Sequence, residues 1–120
     1  MPDGSAVVAP LRATSPTPFG SASSAWLWTM RMLAARQDGA GPAFGSGGMR
    51  PCEPDDVVKC LDRLYRQRRI DLAHARVLRI WGERGSAPDQ ANPHERGDAR
   101  LWREAMAALE PMLRGKGVVR

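Results

Sequence analysis

From residue 23 onward, apolar residues recur at intervals of three and four, the period of a helix packed along one side. In SSAWLWTMRMLAAR, Trp26, Met30 and Leu33 fall at i, i+4 and i+7, flanked by Leu27 and Ala34, and predict a helix over residues 23–37. Ser23 or Ser24 is placed to cap its start and Gly39 to stop it. The next stripe is Val57, Leu61 and Leu64, with Val58 and Tyr65 beside it. Pro54 suits the first turn there, and Glu53, Asp55 and Asp56 put negative charge at the positive end of the helix dipole. Asp55 with Lys59 and Asp62 with Arg66 are pairs at i,i+4, and the run RQRR closes the helix. After a break at Ile70 to Leu72, Asp71 caps a third helix carried by Ala73, Val77, Ile80 and Trp81, with Gly85 beyond its end. Arg76, Arg79 and Glu83 form its solvated side. Asp98 is the expected cap of a fourth, lined by Leu101, Ala105, Ala108 and Met112 and, beside them, Trp102, Met106, Leu109 and Leu113. Pro111 is expected to kink or end that helix.

Between these stripes the periodicity lapses. Residues 1–22 hold prolines and small residues and read as a disordered arm. Residues 38–53 form a linker rich in glycine and proline, without the preceding strand or following GKS of a phosphate-binding loop. Residues 85–98 read as a long loop with room for a short helical turn near residues 91–96. Only GVVR at the end hints at a strand. The pattern therefore predicts an all-α fold: a small three- to four-helix, helix-turn-helix-like domain over residues 54–120, preceded by an amphipathic helix, a linker and an arm.

Composition adjusts this picture in three ways. In 120 residues the foldable part is small, so Trp26, Trp28, Trp81 and Trp102 matter for the core and a homodimer is expected to complete it. Cys52 and Cys60 are too few for a disulfide scaffold, and eight residues along one helix separate them by about 12 Å. With no secretory signal and no run that spans a bilayer, they fit a reducing, cytoplasmic setting away from membranes. The net charge is +5, and of 18 basic residues only Lys59 and Lys116 are lysine. Arginine's planar fork suits phosphate, although GC-rich bacterial coding enriches arginine as well.

Catalytic groups do not assemble along the chain. His74 lies inside a helical stretch, His94 beside a proline, and the serines cluster in the front half. Cys52 precedes a helix start, where a thiolate is stabilised, but no partner completes a nucleophile. The cysteine and histidine intervals match no zinc pattern, so the expectation is a non-enzymatic protein without metal or cofactor.

Nucleic acid is the better-supported partner. Arg100, Arg103, Glu104 and Ala107 point outward on the fourth helix, and two arginines one turn apart can read guanine while alanine meets a thymine methyl. Arg114, Lys116 and Arg120 are placed to flank the groove, and Arg66, Arg68 and Arg69 supply a second set of phosphate contacts. RRIDLAHARVLRIWGERG followed by ARLWREAMAALEPMLRGKGVVR, within residues 68–120, resembles winged-helix repressors of the multiple-antibiotic-resistance type. The resemblance rests on Leu109, Leu113, Lys116, Gly117, Val118 and Val119, where the recognition helix of that family ends. It implies a bacterial transcriptional regulator that binds double-stranded DNA. The alternative is a helical protein-interaction or dimerisation module anchored by Trp26, Trp28, Met30 and Leu33, and an RNA-binding adaptor is a third reading.

Overall fold

The computed structural model describes residues 17–39 and 52–120. Most of the expected arm and linker, residues 1–16 and 40–51, lie outside that description. Among the described residues the periodic stripes become four helices: α1 (Ala22–Gln37), α2 (Pro54–Arg66), α3 (Leu72–Arg84) and α4 (Arg96–Gly115). The protein is an all-α small domain.

Local chemistry accounts for most of the boundaries. The Ser21 hydroxyl, rather than Ser23 or Ser24, caps α1 by accepting from the Ser24 N–H at 3.2 Å. Pro54 opens α2, and the Asp56 carboxylate accepts from the Glu53 N–H at 2.8 Å. Asp71 caps α3 as expected, accepting from the Ala73 and His74 N–H groups at 2.9 and 3.4 Å. Helix α4 starts earlier than expected, at Arg96. Asp98 lies inside it and, instead of capping, accepts from the Trp81 indole at 2.9 Å. Pro111 neither ends nor interrupts α4, which continues to Gly115. Residues 89–95 are not an open loop but a chain of tight turns. The Asp89 N–H donates to Glu95 at 2.7 Å, Asn92 Nδ2 donates to Glu95 at 3.0 Å, and the Asn92 side-chain oxygen accepts from the His94 N–H at 2.9 Å.

Helices α1 and α4 touch each other, and each packs against both α2 and α3, while α2 and α3 scarcely meet. The helix paired with α4 through a connecting segment is therefore α3, and the short break before Leu72 separates its flanking helices instead of stacking them. The centre is built from Val57, Cys60, Leu64, Leu78, Trp81, Trp102, Ala105, Leu109 and Leu113. Three tryptophans are buried with their indole N–H satisfied: Trp26 donates to the Leu78 carbonyl at 2.9 Å, Trp81 to Asp98 at 2.9 Å and Trp102 to Ser23 at 3.1 Å. A buried donor without a partner is costly, so these bonds fix each ring's orientation.

The buried stripes are shifted from those that periodicity predicts. On α1 the buried set is Ala22, Ala25, Trp26 and Thr29, whose hydroxyl donates to the Ala25 carbonyl at 2.8 Å. On α2 Cys60 is inside, whereas Val58 and Tyr65 are exposed. Asp62 pairs with Arg66 at 3.0 Å, but Asp55 reaches Arg36 of α1 at 3.3 Å rather than Lys59. On α3 Leu78 is buried and Ala73 exposed. Residues 17–22, an arm by sequence pattern, are part of the fold. Phe19 is buried, donates its N–H to the Val118 carbonyl at 2.8 Å and accepts from the Arg120 N–H at 3.0 Å. The strand hinted at by GVVR is thus one parallel bridge between Phe19 and Val119.

Candidate nucleic-acid interface

Helix α4 has 20 residues and a length of about 30 Å. At about 100° per residue, Arg96, Arg103 and Arg114 fall within about 20° of one direction and Arg100 within about 40°. All four are exposed, as is Ala107 between them. The inner side of α4 holds Trp102, Ala105, Leu109 and Leu113, so core packing aims the arginines outward. Arg96, Arg100 and Arg103 gather with Gly97 and Gln90 around a shallow open cavity of about 460 Å³ whose lining has no carboxylate. Arg103 donates to the Gln90 side-chain oxygen at 2.9 Å, a neutral tether that leaves its charge uncompensated.

Two glutamates border the strip. Glu104 lies 4.0 Å from Arg100, a loose approach, and its other oxygen meets His74 Nε2 at 2.9 Å. His74 Nδ1 lies 3.1 Å from both the main-chain nitrogen and the carboxylate of Asp71, so the imidazole ties the start of α3 to the middle of α4. Glu110 holds Arg114 more firmly, at 2.9 Å, and Arg114 also donates to the Arg120 carbonyl at 2.9 Å. The far end of the strip is therefore braced, and the near end is open.

The basic residues singled out by sequence have different immediate partners. Arg100 and Arg103 are together at the near end of α4, joined by Arg96. Arg114 and Arg120 are tied to each other at its far end. Lys116 stands close enough to Cys60 for its charge to act on that thiol. Arg66, Arg68 and Arg69 sit at the end of α2 and the turn after it, with Arg66 engaged by Asp62. A helix begun at Asp98 leaves out Arg96 and Gln90, which sequence reading therefore misses. The spacing of Arg96, Arg100 and Arg103 at i, i+4 and i+7 is the signal that finds the first of them.

The expected partner-binding stripe divides likewise. Trp26, at 4% exposure, is a core residue and is not available as a surface anchor. Trp28 is half-buried and tilts against Phe19 with ring centroids 5.2 Å apart. Met30 and Leu33, with Leu27 and Ala34, line an apolar cavity of about 520 Å³ against Arg79, Gly82 and Glu83 of α3.

Helix ends supply a further feature. Three helices finish on a glycine with positive φ: Gly39 at 85°, Gly85 at 82° and Gly117 at 79°. After α2 the same position is held by Arg68 at φ 60°, the one non-glycine residue with positive φ among those described. The closing bonds match: Arg68 N–H to the Tyr65 carbonyl and Arg69 N–H to that of Leu64, as Gly117 and Val118 donate to Arg114 and Leu113. A side chain there costs about 1 kcal/mol relative to glycine.

Desolvation pushes the Asp71 carboxyl up, but the N–H groups of His74 and Ala73 and the His74 ring outweigh it and hold the group below its ordinary value. Burial pushes the Cys60 thiol up, against the opposing charges of Lys116 and Arg63. Among the described residues no cluster of three or more His, Cys, Asp or Glu side chains could hold a metal ion, and no helix is long and apolar enough to cross a membrane. No family model matches the chain, and neither a curated protein nor a solved structure matches it.

Proposed function

We propose that the protein is a small non-enzymatic DNA-binding module, of transcription-regulator type, that holds duplex DNA against the outer side of α4. The observation that carries this reading is the convergence of Arg96, Arg100 and Arg103 around an open cavity lined without a carboxylate. A helix about 10–12 Å across enters a major groove about 12 Å wide. Arg100 and Arg103 then face base edges, with Ala107 in position for a thymine methyl, while Arg96 and Arg114 meet phosphates. The positive end of the α4 dipole adds to attraction at the near end. Glu104 and Glu110 border the strip and favour a defined register over indiscriminate polyanion binding.

Fluorescence anisotropy with a random duplex at several salt concentrations tests this. Binding should weaken steeply with salt, and replacing Arg96, Arg100 and Arg103 together by glutamine should weaken binding and reduce the log–log slope by about 1, the share of the phosphate contact at Arg96. An unchanged slope, or no duplex binding at low salt, would overturn it.

A second reading is self-association through the α1–α3 cavity. It is favoured by the open apolar lining of Leu27, Met30, Leu33 and Ala34 and by Arg31, Arg79 and Glu83 at its edge, which offer both charge signs to a two-fold related copy. Sedimentation showing a dimer that Leu33→Asp dissolves supports it, and a monomer at all concentrations removes it.

A further inference from the structure

We infer that the turn between α2 and α3 is a second nucleic-acid site, one that takes an unpaired base: Tyr65 is the stacking platform, and Arg68 holds the adjoining phosphate. The lining of this site shares no residue with the cavity at the near end of α4.

Three observations converge there. The first is exposed apolar surface: Tyr65 is 48% exposed and Leu72 59%, although both are large side chains that would gain from burial. With Arg66, Arg68, Ile70 and Asp71 they line one open cavity of about 600 Å³. An aromatic ring, an aliphatic wall and guanidinium groups around one hollow match a base with its phosphate, since every base offers a face to stack and every link a charge to neutralise.

The second observation is charge. Asp62 engages Arg66, and Asp71 is turned to the N–H groups of Ala73 and His74 as the α3 cap. Among the described residues no carboxylate forms an ion pair with Arg68, which lines the hollow together with the exposed Asp71 carboxylate.

The third is the backbone. The same helix closure is made with glycine at Gly85 and Gly117 and with arginine only at Arg68. A residue that accepts a left-handed conformation at the expense of stability points to a use for its side chain. Stacking fits an unpaired strand and not a duplex, whose bases already stack on one another.

The experiment compares a short oligothymidylate strand with an abasic strand of equal phosphate number, by anisotropy, on the full chain with Arg96→Gln, Arg100→Gln and Arg103→Gln. That background removes the α4 contribution, so failure of this site and failure of the duplex reading are read on different residues. The oligothymidylate should bind about tenfold more tightly than the abasic strand. Tyr65→Ala should erase that preference and Tyr65→Phe should keep it. Arg68→Gly should raise the melting temperature while weakening both strands, a combination that a merely structural arginine does not produce. Equal binding of the two strands, a preference that survives Tyr65→Ala, or an Arg68→Gly protein with undiminished affinity would overturn the inference. So would tighter, Tyr65-dependent binding of an acidic, leucine-containing peptide, which would make the hollow a protein site. An exposed position makes misfolding of the Tyr65 variants a poor explanation, and their melting temperatures check it.

Discussion

The indole N–H of Trp26 donates to the main-chain carbonyl of Leu78 at 2.9 Å, joining α1 to α3 inside the core. This one bond makes a structural bolt of a residue whose place in the sequence suits a surface anchor. Trp26→Ala should lower unfolding free energy by about 3–5 kcal/mol. Trp28→Ala, at a half-buried ring against Phe19, should cost less than half of that. Urea unfolding of the two variants checks the order. Equal losses would place Trp26 outside the core.

Gly82 of α3 packs directly against Met30 and Trp26 of α1. A Cβ there would stand 2.5 Å from Met30 Cγ and 3.1 Å from Trp26 Nε1. Gly82→Ala, ordinarily favourable inside a helix, should instead destabilise by about 1–3 kcal/mol through overpacking. Combining it with Met30→Ala should return part of the loss, because the obstructing side chain is then gone. Additive effects of the pair, measured by the same unfolding, would refute the contact.

Phe19 docks the segment before α1 onto the end of the chain, bridging Val118 and Arg120. Phe19→Ala should cost about 3 kcal/mol. The amide protons of Phe19 and Arg120 should exchange slowly in the native protein and lose protection together in the variant. Independent behaviour of the two amides would mean that they do not form one unit.

Two groups limit stability at opposite ends of the pH scale. Asp71 is held below its ordinary value of 3.8, so its stabilisation is complete above that value and is lost as pH falls through the lower folded value. Asp71→Ala should therefore melt earlier than wild type at neutral pH, with the gap closing in acid. Cys60 is pushed above its ordinary value of 9.0, so its contribution is complete below that value and is lost as pH rises through the higher folded one. A Cys60→Ala variant should lose this alkaline sensitivity. At neutral pH the half-buried Cys52 should react with a thiol reagent before the buried Cys60.

Sequence by itself determined the number and kind of elements, the Asp71 cap, the Pro54 start and the outward placement of Arg100, Arg103 and Ala107, because these follow from helical period and from groups within a few residues. What depends on a partner far along the chain is not legible in it. Asp98 has the chemistry of a cap, but its bond to Trp81 is a tertiary contact. Pro111 has the chemistry of a breaker, but packing of Leu109 and Leu113 outweighs one lost backbone bond. Tyr65 and Trp26 exchange roles for the same reason. Periodicity says that a stripe is apolar, but which part of it is covered depends on which neighbours arrive, and α2 meets α1 and α4 rather than α3. Only the tertiary structure gathers Gln90 with Arg96, Arg100 and Arg103, since a concave surface is a property of several elements and not of any one of them.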